Sequence, residues 1–80
     1  MIINLSFYSH NDHSNLHQLN VDADMQGDQG TFTFNNWGDA NTFFSADETS
    51  FRCPELGNIS KIVWIDKSSD GLKVTVRIEH

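Results

Sequence analysis

Ile59-Ser60-Lys61-Ile62-Val63-Trp64-Ile65-Asp66, Lys67-Ser68-Ser69-Asp70-Gly71 and Leu72-Lys73-Val74-Thr75-Val76-Arg77-Ile78-Glu79 make one continuous stretch. Two runs rich in β-branched residues flank a polar turn, the pattern of a β-hairpin. In the second run Leu72, Val74, Val76 and Ile78 alternate with Lys73, Thr75, Arg77 and Glu79. Successive strand side chains point to opposite faces, so this strand has one dry face and one wet face. Ile62-Val63-Trp64-Ile65 is apolar throughout and reads as an inner strand, covered on both sides. Asp70-Gly71 supplies the turn, because glycine takes positive φ without steric cost.

Working outward, Ile2 to Tyr8 reads as a strand with Ile3, Leu5 and Phe7 on one face. Leu19, Val21, Ala23 and Met25 alternate with Asn20, Asp22 and Asp24, a half-buried strand with an acidic outer face. Gln26 to Gly30 turns the chain into Thr31-Phe32-Thr33-Phe34-Asn35, completing a second hairpin. Between the first two strands, Ser9 to Gln18 is polar and reads as a loop; a short helix capped by Ser9 is the alternative. Asn36 to Asn41 reads as a turn, Thr42 to Ser45 as a short strand, and Ala46 to Glu48 as a turn. Thr49 to Cys53 reads as another short strand, ended by Pro54 and by Gly57-Asn58. Five to seven short strands with turns between them predict an all-β domain spanning residues 1–80. The expected form is a small antiparallel β-sandwich or a partly open barrel.

A chain of 80 residues buries only about 60% of its unfolded surface, so its core is small and association with itself is an open expectation. Cys53 is the single cysteine, which excludes an internal disulfide and fits a reducing, cytoplasmic setting. Met1-Ile2-Ile3-Asn4-Leu5 lacks the basic region of a signal peptide, and no apolar run approaches a membrane span. The net charge is −6, and no Lys or Arg precedes Arg52. Phosphate neutralisation needs clustered Lys and Arg, so direct nucleic-acid binding is not expected. Anionic membrane surfaces would repel such a chain.

Three groups of residues are candidates for function. Asp22, Asp24, Asp28, Asp39, Asp47 and Glu48 make the first part of the chain acidic and predict docking on a basic surface of a protein partner. One concrete form of this expectation is a small inhibitor, of the kind phages encode against host-defence complexes, that occupies a nucleic-acid-binding groove as a mimic. Trp37 sits in the polar run Asn35-Asn36-Trp37-Gly38-Asp39. It either anchors a partner, stacks on a sugar ring as the centre of a carbohydrate-binding module, or folds back over the core edge. His10, His13 and His17 cluster near Asp12. On a helix His13 and His17 would lie one turn apart, a spacing that places imidazoles around Zn²⁺ or another transition metal. No nucleophile elbow, P-loop, dinucleotide fingerprint or CxxC pair is present, and the expectation is a protein without enzymatic activity.

Glu55-Leu56-Gly57-Asn58-Ile59-Ser60-Lys61-Ile62, with Asp70-Gly71 and a final strand, resembles the closing part of PLAT-type β-sandwich domains. The resemblance covers the last third of the chain and implies a sandwich that binds proteins or lipids. Leu72 stands where that family typically carries a tryptophan after the turn.

Overall fold

The alternation of apolar and polar residues settles into a single sheet. The computed structural model describes every residue from Met1 to His80. Its strands are β1 (Ile2–Ser9), β2 (Asp12–Gln26), β3 (Gln29–Thr33), β4 (Lys61–Lys67) and β5 (Lys73–Glu79). All neighbours are antiparallel, in the order β1-β2-β3-β5-β4, and the sheet curls into a half-barrel. The partly open barrel is thus the form adopted. No second sheet faces the first, so the sandwich alternative and the architecture implied by the PLAT resemblance do not hold.

Ile3, Leu5 and Phe7 of β1, Leu19, Val21 and Ala23 of β2, Phe32 of β3, Ile62 of β4 and Val74, Val76 and Ile78 of β5 all turn to one face. A helix, α1 (Trp37–Phe44), and the segment from Ser45 to Ser60 cover that face. Phe34, Ala40, Phe43, Phe51 and Cys53 complete the core, and no polar or charged residue is buried with them. The interior therefore contributes packing only, and any chemistry lies at the surface.

Residues 37–45 correct the sequence reading, which gave a turn and a short strand there. Asn36 caps α1, its side-chain oxygen accepting from the Asp39 amide at 2.8 Å. Asp39 adds a carboxylate to the first turn, where it suits the helix dipole. Ala40 and Phe43, three residues apart, point into the core. Phe43 meets Phe32 edge-on, with centroids 5.9 Å apart. A helix with this inward pair fills the half-barrel better than a strand could.

Ser9 to Gln18 is also corrected. Most of it is strand, because β2 runs without a break from Asp12 and pairs Leu16 with Tyr8 and His17 with Phe7. Thr49 to Cys53 is not a regular strand but a strap carrying isolated bridges, one of them between Arg52 and Ser6. Pro54–Leu56 forms a turn of 3₁₀ helix. The largest correction concerns β4. It lies at the edge of the sheet, with Trp64 41% and Ile65 49% exposed, and a bulge shifts its register between Trp64 and Asp66.

The strap ties the two edges of the half-barrel together. On the β1 side, Ser6 and Arg52 exchange main-chain bonds of 2.9 and 2.8 Å, and Asp47 N–H donates to the Tyr8 carbonyl. Tyr8 N–H donates to Ser50 Oγ at 2.9 Å, and Asn4 N–H to Glu55 Oε1 at 3.2 Å. On the β4 side, Ile62 N–H donates to the Glu48 carbonyl at 3.1 Å. No main-chain bond from the strap reaches further along β4.

Candidate functional site

The sheet register decides where the acids lie. On the uncovered face, Asp22 and Asp24 of β2 stand beside Thr33 and Thr31 of β3. Thr33 in turn neighbours Lys73, and Thr31 neighbours Thr75, which is paired with Asp66. Arg77 and Glu79 share this face and bond to each other at 3.3 Å, and Lys61 is paired with Glu79. Asp22, Asp24, Asp66 and Glu79 are therefore offset by Lys61, Lys73 and Arg77, and Asp22 also lies 3.2 Å from the Met1 amino nitrogen. Strand geometry thus turns what reads as an acidic face into one of mixed charge.

The remaining carboxylates lie off that face, on the hairpin tips, α1 and the strap. They are Asp12, Asp28, Asp39, Asp47, Glu48, Glu55 and Asp70, and Arg52 and Lys67 are the Lys and Arg residues that lie off the open face with them. Asp28 lies 3.2 Å from His80 Nε2, and Asp47 lies 3.1 Å from His13 Nε2. Glu48 is exposed, with no ion-pair partner within 4 Å. The six acids singled out in the sequence thus divide: Asp22 and Asp24 share the open face, Asp47 and Glu48 share the strap, and Asp28 and Asp39 stand apart.

Beside the strap acids is a cleft of about 310 Å³ with apolar side chains at its floor and polar groups at its rim. Phe43 and Phe44 of α1, Ala46 and Phe51 of the strap, and Ile62 and Trp64 of β4 line it. His10, Asp47 and Glu48 form its polar rim. Phe44 and Trp64 meet edge-on at 5.1 Å, and the Lys67 ammonium sits 5.0 Å from the centroid of the Phe44 ring. A larger depression of about 410 Å³ on the open face is lined by Asp24, Gln26, Gln29, Gly30, Thr31 and Thr75. Its lining residues are all polar or glycine, so no aromatic or aliphatic side chain stands there to anchor a ligand.

Trp37 opens α1 and is 66% exposed. Its Nε1–H donates to the Asp70 carbonyl at 2.9 Å, which pins the ring against the β4–β5 turn. It does not fold over the core edge. Trp37 and Phe44 are seven residues apart, so they share one side of α1 at about 10 Å along its axis. Trp37, Phe44 and Trp64 therefore mark the side of the helix that borders β4. Sequence reasoning misses Phe44, Trp64 and Phe51 as a group, because it assigns each to a different strand.

The histidines do not converge. His10 Nδ1 lies 3.0 Å from the Ser45 carbonyl, His13 stacks on Tyr8 with centroids 5.5 Å apart, and His17 packs against Phe7. The helical spacing that would group His13 with His17 is absent, because both lie on β2. No three His, Cys, Asp or Glu side chains come close enough together to share an ion.

Asp47 is held below the usual carboxylate range by the Thr49 amide first, then by the Thr49 hydroxyl and by His13. Its own main-chain amide, then the Asn4 amide and the Cys53 thiol, do the same for Glu55. Both strap carboxylates therefore stay charged at neutral pH. Burial pushes the Cys53 thiol up to about 11, and its hydrogen bond to Glu55 adds to the effect. A protonated, buried thiol is a poor nucleophile. The Ser50 hydroxyl is engaged with Tyr8 and Asp47 main-chain atoms and has no imidazole beside it. No helix is long and apolar enough to cross a membrane. Comparison of the chain with protein-family models, curated proteins and solved structures gives no match.

Proposed function

We propose that this chain is a non-enzymatic protein-binding domain, and that it meets a basic partner with the side bearing α1, the strap and β4. One observation carries the reading. The exposed Trp64 lines a cleft floored by aromatic residues, with Asp47 and Glu48 at its rim, and the exposed Trp37 lies on the same side of α1 as Phe44 of that cleft. Aromatic anchors in partly dry pockets supply most of the energy of protein interfaces, and the surrounding charges set partner choice and association rate. Nucleic-acid-binding proteins present the clustered Lys and Arg that such a surface complements. A mimic that inhibits such a protein by filling its groove is the most specific form of the proposal.

The test compares two pairs of substitutions in capture of basic proteins at low and high salt. Asp47→Asn with Glu48→Gln removes the strap charges, whereas Asp22→Asn with Asp24→Asn removes those of the open face. The strap pair is expected to abolish salt-sensitive capture and the open-face pair to leave it intact. Capture that ignores ionic strength, or that follows the open-face pair, would count against the proposal.

A further inference from the structure

Resting on that reading, we infer that the cleft between α1, the strap and β4 is a receptor for one arginine side chain of the partner. Its volume of about 310 Å³ lies at the small end of the roughly 300–1,000 Å³ typical of ligand pockets, enough for one long side chain but not for a large metabolite. The floor is apolar and largely aromatic: Phe43, Phe44, Phe51 and Trp64, with Ala46 and Ile62. His10, Asp47 and Glu48 form the rim, and Glu48 is exposed there with no ion-pair partner within 4 Å. A side chain that suits both must have an apolar stem and a cationic end. Guanidinium meets this better than ammonium, because it is planar, weakly hydrated and stacks on aromatic faces.

The molecule places a cation of its own on one of the rings that line this cleft. Lys67 Nζ lies over the Phe44 ring, and it points there because the bulge after Trp64 returns Lys67 to the covered side of the sheet, where it pairs with Val74. The ring face thus already holds an ammonium supplied in cis. Asp47 is partly engaged, accepting from Thr49 and lying beside His13, so Glu48 is the freer acceptor for an incoming cation. Lys67 then competes for the Phe44 ring, which also lines the cleft, and its removal should favour the guest.

The experiment is a ¹⁵N chemical-shift titration of the whole domain with acetyl-Gly-Arg-Gly-amide. The same peptide with citrulline, which keeps the shape and loses the charge, or with norleucine, which keeps only the stem, serves as comparison. The arginine peptide is expected to shift Phe44, Glu48, Ile62 and Trp64 with a dissociation constant on the order of millimolar. Citrulline and norleucine peptides should bind roughly tenfold more weakly, as should the arginine peptide to Glu48→Gln. Lys67→Met should tighten arginine binding about threefold or more. Both substituted residues are exposed, so the fold should survive, and the unshifted core resonances report that directly. Equal or stronger binding of the norleucine peptide would overturn the inference, as would shifts that appear with protein concentration alone, the mark of a second copy in the cleft. If no arginine peptide binds while Asp47→Asn with Glu48→Gln still abolishes capture of basic proteins, the arginine receptor falls and the docking surface stands.

Discussion

The two edges of the sheet are treated differently. On β1 the amides of Asn4, Ser6 and Tyr8, every second residue, each find an acceptor in the strap or its continuation. On β4 a single bond from Ile62 to Glu48 does the same work, and beyond it Trp64 and Ile65 stand exposed. An open edge invites unwanted pairing, and a bulge and an edge lysine are common defences against it. β4 carries both, in the register shift after Trp64 and in Lys67. The sealed edge is built for stability. The defended but apolar edge makes sense if something other than another strand meets it.

The strap serves both edges, so its anchor should matter most. Phe51 is buried against Phe7 and Phe43, at 5.0 and 5.4 Å between centroids. Phe51→Ala should cost about 3–5 kcal/mol, enough to unfold much of so small a domain, and urea denaturation would measure it. Ser50→Ala removes the acceptor of the Tyr8 amide and should cost roughly 1 kcal/mol. Amide exchange should then quicken at Tyr8 and leave β5 unchanged.

Acid should loosen the strap before the sheet. Asp47 and Glu55 both have folded values below their ordinary 3.8 and 4.5. Their contribution is full above those values and is lost as pH falls through the lower folded ones. Strap amides should therefore gain exchange relative to β2 and β3 as pH drops below 4.5, and Asp47→Asn should blunt the trend. Alkali acts on Cys53 in the opposite sense. Its raised value favours the native state below pH 9, and that advantage disappears as pH rises from 9 to about 11. Thiol labelling at pH 8 should accordingly be slow until the domain is unfolded. The smallest effect belongs to the open edge: Ile65→Thr should change stability by no more than about 0.5 kcal/mol.

The same contrast explains what could be read from sequence. The alternation from Leu72 to Glu79 is legible because β5 has one covered and one open face, and its burial follows the pattern residue by residue. The run Ile62 to Ile65 misleads because apolar residues on both faces usually mean a buried strand, whereas here Ile62 and Trp64 face the cleft and Val63 lies on the open face opposite Arg77. Thr42-Phe43-Phe44 has strand-like residues, yet Asn36 and Asp39 three residues later carried a helix-start pattern that outweighs them. The polar run from Asp12 to Gln18 is strand only because β1 offers a partner, a tertiary effect that local composition does not contain. The acids were legible as a charge and not as a patch, since Asp22 and Asp24 meet their counter-charges only through the pairing of β2, β3 and β5.

The most direct test of the docking side is a chemical-shift map of the ¹⁵N-labelled domain with an arginine-rich peptide of about ten residues, at low and high salt. The account predicts perturbations centred on Trp37, Phe44, Glu48 and Trp64 that shrink as salt rises. Perturbations centred on Asp22, Asp24 and Thr31, or a map indifferent to salt, would contradict it.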